Sequence, residues 1–171
     1  RIHKVSKSVE LIASILKVGE ASNLEKSFSL DHDQKVLMIC VGEGDLNTGG
    51  GIYDAGSLLN NDGKTIWSMD DLYKTFNDGG GFKNRIALGC LNLKKGKYKI
   101  TYSTDVGHSY GNWNDTPPSD SLWYGIQVLS LNDSDYSIIN QLNEKEINSD
   151  SVKTKRKVNN QDISDANEPH Y

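Results

Sequence analysis

The stretch KVLMICVGEG, residues 35–44, decides the fold. Apolar side chains follow one another from Val36 to Val41. A nearly continuous apolar run of this kind reads as a central strand covered on both faces. Such a strand needs neighbours, and the flanking sequence supplies them. Residues 9–18 (VELIASILKV) are apolar enough for a strand or a short helix and stop at Gly19. Residues 25–31 alternate, with Phe28 and Leu30 on one face. After the central run, a Gly-rich loop over 42–51 leads to GIYDAGSLL and KTIWSMD, which flank Asn60-Asn61-Asp62-Gly63. Asp-Gly between two strand-like runs predicts a hairpin, because both residues tolerate the positive φ of hairpin turns.

Further along, DDLYKTFNDGGG (residues 70–81) suits a helical turn or a loop ended by its glycines. RIALGCLNL, a turn at Lys94-Lys95-Gly96, the alternating KYKITYST and a last core strand in WYGIQVLSL complete the pattern. Short strands separated by turn signals predict an all-β fold, an antiparallel β-sandwich or jelly roll, with a short helix or loop near residues 70–78. Long helices do not alternate with the strands, which argues against a doubly wound sheet.

Residues 1–8 read as an N-terminal linker, 9–140 as the sandwich and 141–171 as a polar tail or linker. The tail has few large apolar residues, too few to offset the entropy of ordering it. Its basic cluster, Lys153 to Lys157, resembles a short nuclear-localisation or polyanion patch, but the neighbouring acids favour a solvated linker.

The net charge of −4 over 171 residues gives no electrostatic case for nucleic acid as a partner. No apolar run approaches the roughly 20 residues of a membrane span, so no membrane insertion is expected. The chain does not start with Met and shows no signal-peptide pattern, so it reads as a mature chain or a fragment. Cys40 and Cys90 both lie in strand-like runs. They are two buried small hydrophobes or one inter-strand disulfide, and no CxxC points to a zinc site.

Residues 108–126, HSYGNWNDTPPSDSLWYGI, carry most of the chemistry. Three chemistries suit them. A hydrolase would use His108 as acid/base with Ser109 and Asp105. Adjacent residues of a strand face opposite sides, however, and no GxSxG elbow is present. A loop calcium ion would use hard oxygens from Asp105, Asn112, Asn114, Asp115 and Asp120, although the spacing is not DxDxDG. The histidines (His3, His32, His108 and His170) are scattered, which disfavours a transition metal. Finally, Trp113, Trp123, Tyr110 and Tyr124 beside amides and acids have the composition of a glycan- or peptide-binding surface. The alternative is that the tryptophans fold inward and plug the sandwich.

Three further features read more plainly. GEGDLNTGGG lacks the Gly-Lys-Ser/Thr ending of a phosphate loop. Lys83-Asn84-Arg85 reads as an anion site or as a strand start whose charges face solvent or pair with Asp78. Asn114-Asp115-Thr116 and Asn132-Asp133-Ser134 fit the N-glycosylation sequon.

Several stretches resemble, in order over residues 16–128, an accessory β-sandwich domain found beside sensor, kinase and peptidase-like regions of bacterial proteins. They are KVGEASNLEKSFSLD, VGEGD followed by GIYDAGSLL, GKTIWSMD, GGGFKNR, LKKGKYKITYSTDVGHSYGNWNDTPP and WYGIQV. The last two are the most specific. Where the family carries Met-Tyr-Asp-Tyr-Gly-Trp-Ile, this chain has Ile52-Tyr53-Asp54-Ala55-Gly56-Ser57-Leu58, without two aromatics. The resemblance implies a sandwich and supplies no reaction. The expected function is a non-catalytic binding or interaction module of a larger multidomain protein, outside the cytoplasm, without a required cofactor. Its partner would be a flanking domain, a protein or a glycan, and Asp105, His108, Tyr110, Asn112, Trp113, Asn114, Asp115 and Trp123 would form its ligand site. A hydrolase using His108 and a structural spacer are the alternatives.

Overall fold

The computed structural model describes residues 9–47, 50–142 and 145. The expected linker over 1–8 and nearly all of the tail, including the basic cluster at 153–157, lie outside them. Nine strands are described: β1 (Leu11–Leu16), β2 (Asn23–Leu30), β3 (Gln34–Gly44), β4 (Ile52–Asn60), β5 (Thr65–Ser68), β6 (Phe76–Asn77), β7 (Asn84–Leu93), β8 (Gly96–Ser103) and β9 (Gly125–Ser130). All their ladders are antiparallel. The expected all-β, sandwich-like fold is what the chain forms.

One layer runs β1-β9-β3-β7-β6, and the other runs β2-β8-β4-β5. They join where the end of β3 leaves β9 and pairs with β4 instead, Glu43 opposite Asp54 and Gly44 opposite Ile52. The result is a nearly closed, barrel-like sheet. At the crossing the backbones come very close. A Cβ on Gly42 would stand 2.1 Å from the carbonyl oxygen of Asp54, so only glycine fits.

The apolar run of β3 is buried on both faces, as its composition demands. Val36, Met38 and Cys40 join the inner core between the layers, with Leu58, Ile100, Ile126 and Val128. Leu37, Ile39 and Val41 join a second, outer core with Ile86, Tyr124, Leu131 and Ile139. Strand alternation produces this division. It also settles the cysteines. Cys40 sits opposite Ala87 and Cys90 opposite Leu37, and the two thiols pack into different cores. Both are free, and burial pushes them up to about 12 and about 11.

The connections follow their turn chemistry. Gly63 has φ 76°, and the Asn60 side chain accepts from the N–H groups of Asp62 and Lys64 across the β4–β5 hairpin. The 70–78 segment is a single 3-10 turn, Leu72–Lys74, capped by Asp71, followed by the two-residue β6. One element was not expected. Residues 133–142 are helical. Asn132 caps this helix by accepting from the N–H of Asp135 at 2.8 Å. Tyr136 and Ile139, three apart and so on one face, cover the outer core.

Ile139→Ala should therefore lower the unfolding free energy by about 2 kcal/mol in urea titration. Ile138→Ala, at a site 54% exposed, should change it by less than about 0.5 kcal/mol.

Candidate functional site

The β8–β9 connection crosses the end of the sandwich and closes the outer core. Two of its polar residues, His108 and Ser109, turn inward. His108 is 1% exposed. Its Nε2 lies 2.7 Å from Asn84 Oδ1, and its Nδ1 lies 3.1 Å from the side-chain oxygen of Asn114. The Asn84 amide NH2 is already committed, donating to the carbonyls of Gly79 and Thr116 at 2.9 and 2.8 Å. Asn84 therefore offers only oxygen to the ring, and Nε2 carries the proton. Burial, and then the Lys83 ammonium, hold the imidazole below its ordinary pKa. The ring is neutral at pH 7, so Nδ1 accepts. An accepting Nδ1 requires the Asn114 amide to present its NH2, the reverse of the orientation in which its oxygen faces the ring.

Trp113 packs edge-to-face on His108 and on Tyr124, both at 5.0 Å. Trp113 and Trp123 are both half-buried against the outer core. The inward plug accounts for these contacts. Tyr110 completes the aromatic group through Trp113 at 6.3 Å.

Below this cluster sits a buried carboxyl group. Asp54 is fully buried on β4. One of its oxygens accepts from the N–H of Asp105 at 2.8 Å, and the other lies 2.5 Å from the Tyr124 hydroxyl. That hydroxyl also lies 2.8 Å from the carbonyl oxygen of His108. Glu43, Asp54 and Asp105 bring carboxylate oxygens within 4.8 Å of one another. The Lys83 ammonium offsets the charge, 2.7 Å from Glu43. Burial first, and the neighbouring carboxylates after it, push Asp54 up to about 6.

A second carboxyl group locks the connection to the glycine triplet. Asp78 accepts from the N–H of Ser119 through its carbonyl at 2.9 Å. Its carboxyl group faces the N–H of Asp120 at 3.4 Å. Burial and the Asp120 carboxylate push Asp78 up to about 7. The seam is tight. Gly80 has φ 65°, and a Cβ there would stand 2.0 Å from the carbonyl oxygen of Pro117.

The site residues expected from sequence do not gather into one site. His108, Tyr110, Trp113 and Asn114 meet in one cluster, while Asp105 reaches the Asp54 carboxyl group. Asn112 turns away and donates to the Glu20 carboxylate, which also accepts from the N–H of Gly107. The Ser-His pairing that a hydrolase would need, and that strand alternation argued against, is not made. The Ser109 hydroxyl is buried and has no hydrogen-bond partner among the described residues. Asp105, Asp115 and Asp120 do not converge as a calcium set either. Asp105 groups with Glu43 and Asp54, Asp115 lies against Gly81, and Asp120 lies against Asp78. The expectation for residues 83–85 also changes. Lys83 pairs with Glu43 rather than Asp78, and Arg85, 2% exposed, donates to the hydroxyl and carbonyl oxygens of Thr75. Packing of β7 against β6 and the preceding turn leaves Arg85 no route to solvent.

No family model matches the chain, and no curated protein matches it. A crystal structure of a protein from Sulfurospirillum deleyianum is similar over 75% of this chain and 99% of the other, with 12% identity and a TM-score of 0.36. At that score the likeness carries no argument.

Two predictions follow from the buried network. His108→Ala leaves Asn84 and Asn114 without their partner and should cost about 2–4 kcal/mol in urea titration. The carboxyl groups make stability depend on pH. An unfolded Asp titrates near 3.9, so the folded chain holds extra protons on Asp54 up to about 6 and on Asp78 up to about 7. Their contribution is complete below the unfolded pKa and is lost as pH rises through the folded values. The urea midpoint should fall between pH 5 and 7.5, and Asp78→Asn should flatten the part of that fall above pH 6.

Proposed function

We propose that the chain is a non-catalytic interaction module of a larger multidomain protein, and that the 105–123 connection presents the face that meets a protein or peptide partner. One observation supports this reading above the rest. The connection spends its histidine, its asparagine amides and its aromatic rings on holding itself rigid, while leaving apolar groups outside. Val106 is 74% exposed and Leu122 58% exposed, near the two ends of the stretch, with Asn112, Asn114 and Asp115 exposed between them. A rigid scaffold that presents an ordered loop loses little conformational entropy on binding, which is how loops on sandwiches make recognition surfaces. A sugar-stacking role for Trp113 has less support, since His108, Tyr110 and Tyr124 already pack on its ring.

Selection from a displayed peptide library tests the reading, with the doubly substituted Val106→Asp, Leu122→Asp chain as the counter-probe. Enriched peptides should bind the parent chain at least about tenfold more tightly than the variant, a difference of about 1.4 kcal/mol. No enrichment, or equal binding to both, would sink the proposal. Turnover of fluorogenic ester, peptide or glycoside substrates that disappears in a folded His108→Ala chain would favour the hydrolase instead.

A further inference from the structure

The outer face of the β2-β8-β4 layer is hollow at the end of β8 that lies away from the 105–123 connection. Ser27 and Ser29 of β2 stand directly opposite Lys99 and Lys97 of β8. Residues two apart on a strand share a face, so these four side chains point outward together. Phe28 and Tyr98, between them in sequence, pack on the inner core, stacked at 5.6 Å, and also contribute to the wall of the hollow. The β4–β5 hairpin brings Asn61 to the same hollow, whose volume is about 350 Å3. That is the small end of the range for small-molecule sites.

The charge of this hollow opposes that of the chain. The net charge is −4, yet the lining holds two lysines and no acidic residue. Lys99 is compensated, its ammonium 3.1 Å from each Glu25 oxygen. Lys97 is exposed, and no carboxylate pairs with it among the described residues. An ammonium without a counter-charge attracts a carboxylate. Serine hydroxyls and an asparagine amide each donate and accept, which matches the hydroxyl groups of a sugar.

We propose that this hollow is a binding site for a carboxylate-bearing saccharide, with Lys97 meeting the carboxylate and Ser27, Ser29 and Asn61 meeting the hydroxyls. The site shares no residue with the 105–123 face, and neither proposal depends on the other.

Isothermal titration of the full chain with a panel of uronic acid disaccharides tests it. Their neutral counterparts and inorganic phosphate form separate arms. At least one acidic disaccharide should bind and weaken as salt is added. It should bind at least about fivefold more tightly than its neutral counterpart or phosphate, and lose at least about fivefold in Lys97→Glu. The Val106→Asp, Leu122→Asp chain should bind it as the parent does, which separates this site from the loop face. Three results would overturn the proposal: no acidic disaccharide bound, unchanged affinity in Lys97→Glu, or phosphate bound as tightly as the saccharide. Lys97 is exposed, so its substitution leaves the fold intact, and an unchanged urea midpoint verifies that.

Discussion

Burial of β3 on both faces is the constraint from which the rest of the structure follows. Val36 to Val41 are each at most 1% exposed, although strand alternation sends neighbouring side chains in opposite directions. One sheet packed on another can dry only one of those faces. The second face, with Leu37, Ile39 and Val41, requires its own cover, worth about 1.5–3 kcal/mol for each side chain kept from water. The chain supplies it from the β8–β9 connection and the helix at 133–142. The connection is therefore part of a core, and its order follows from that.

A cover made only of apolar groups could slide. Here the contact between cover and sheet includes Asp54, Asn84 and His108, all buried and all paired. Each has one set of partners that satisfies it, and a shifted loop would strand a polar group away from water at a cost of about 1–3 kcal/mol. The glycine seam at residues 79–81 adds a steric limit, since Pro117 and Ser119 occupy the space a side chain would need. Hydrophobic burial brings the layers together, and the polar contacts and the seam select one register.

The strands were legible because their signals are local. The run at 35–44 is apolar without interruption, the hairpin at residues 60–63 carries its own turn chemistry, and KYKITYST alternates. The helix at 133–142 was not legible. Its sequence is rich in Asn, Asp and Ser, which favour caps and turns over helix interiors. Only its docking onto β3 makes it pay, and that contact is invisible along the chain. Its one readable mark was Asn132 before the acidic Asp135. The loop cluster was half legible. His108, Trp113 and Asn114 sit together in sequence, whereas Asn84, Glu43 and Asp54 arrive from other strands. Asp54 did leave a sign. It occupies the same strand parity as Gly56 and Leu58, both buried, so an acid stood at a core position. A buried acid requires partners, and looking for them leads to Tyr124 and Asp105.

The Tyr124 hydroxyl has one proton and two acceptors beside it, Asp54 and the His108 carbonyl. When Asp54 is ionised it claims that proton, and the His108 carbonyl loses its donor. When Asp54 is protonated it can donate to the Tyr124 oxygen, and Tyr124 is then free to donate to His108. The chain of hydrogen bonds from β4 through Tyr124, just before β9, to His108 thus has a polarity. A single proton, arriving near pH 6, sets which end of it is anchored.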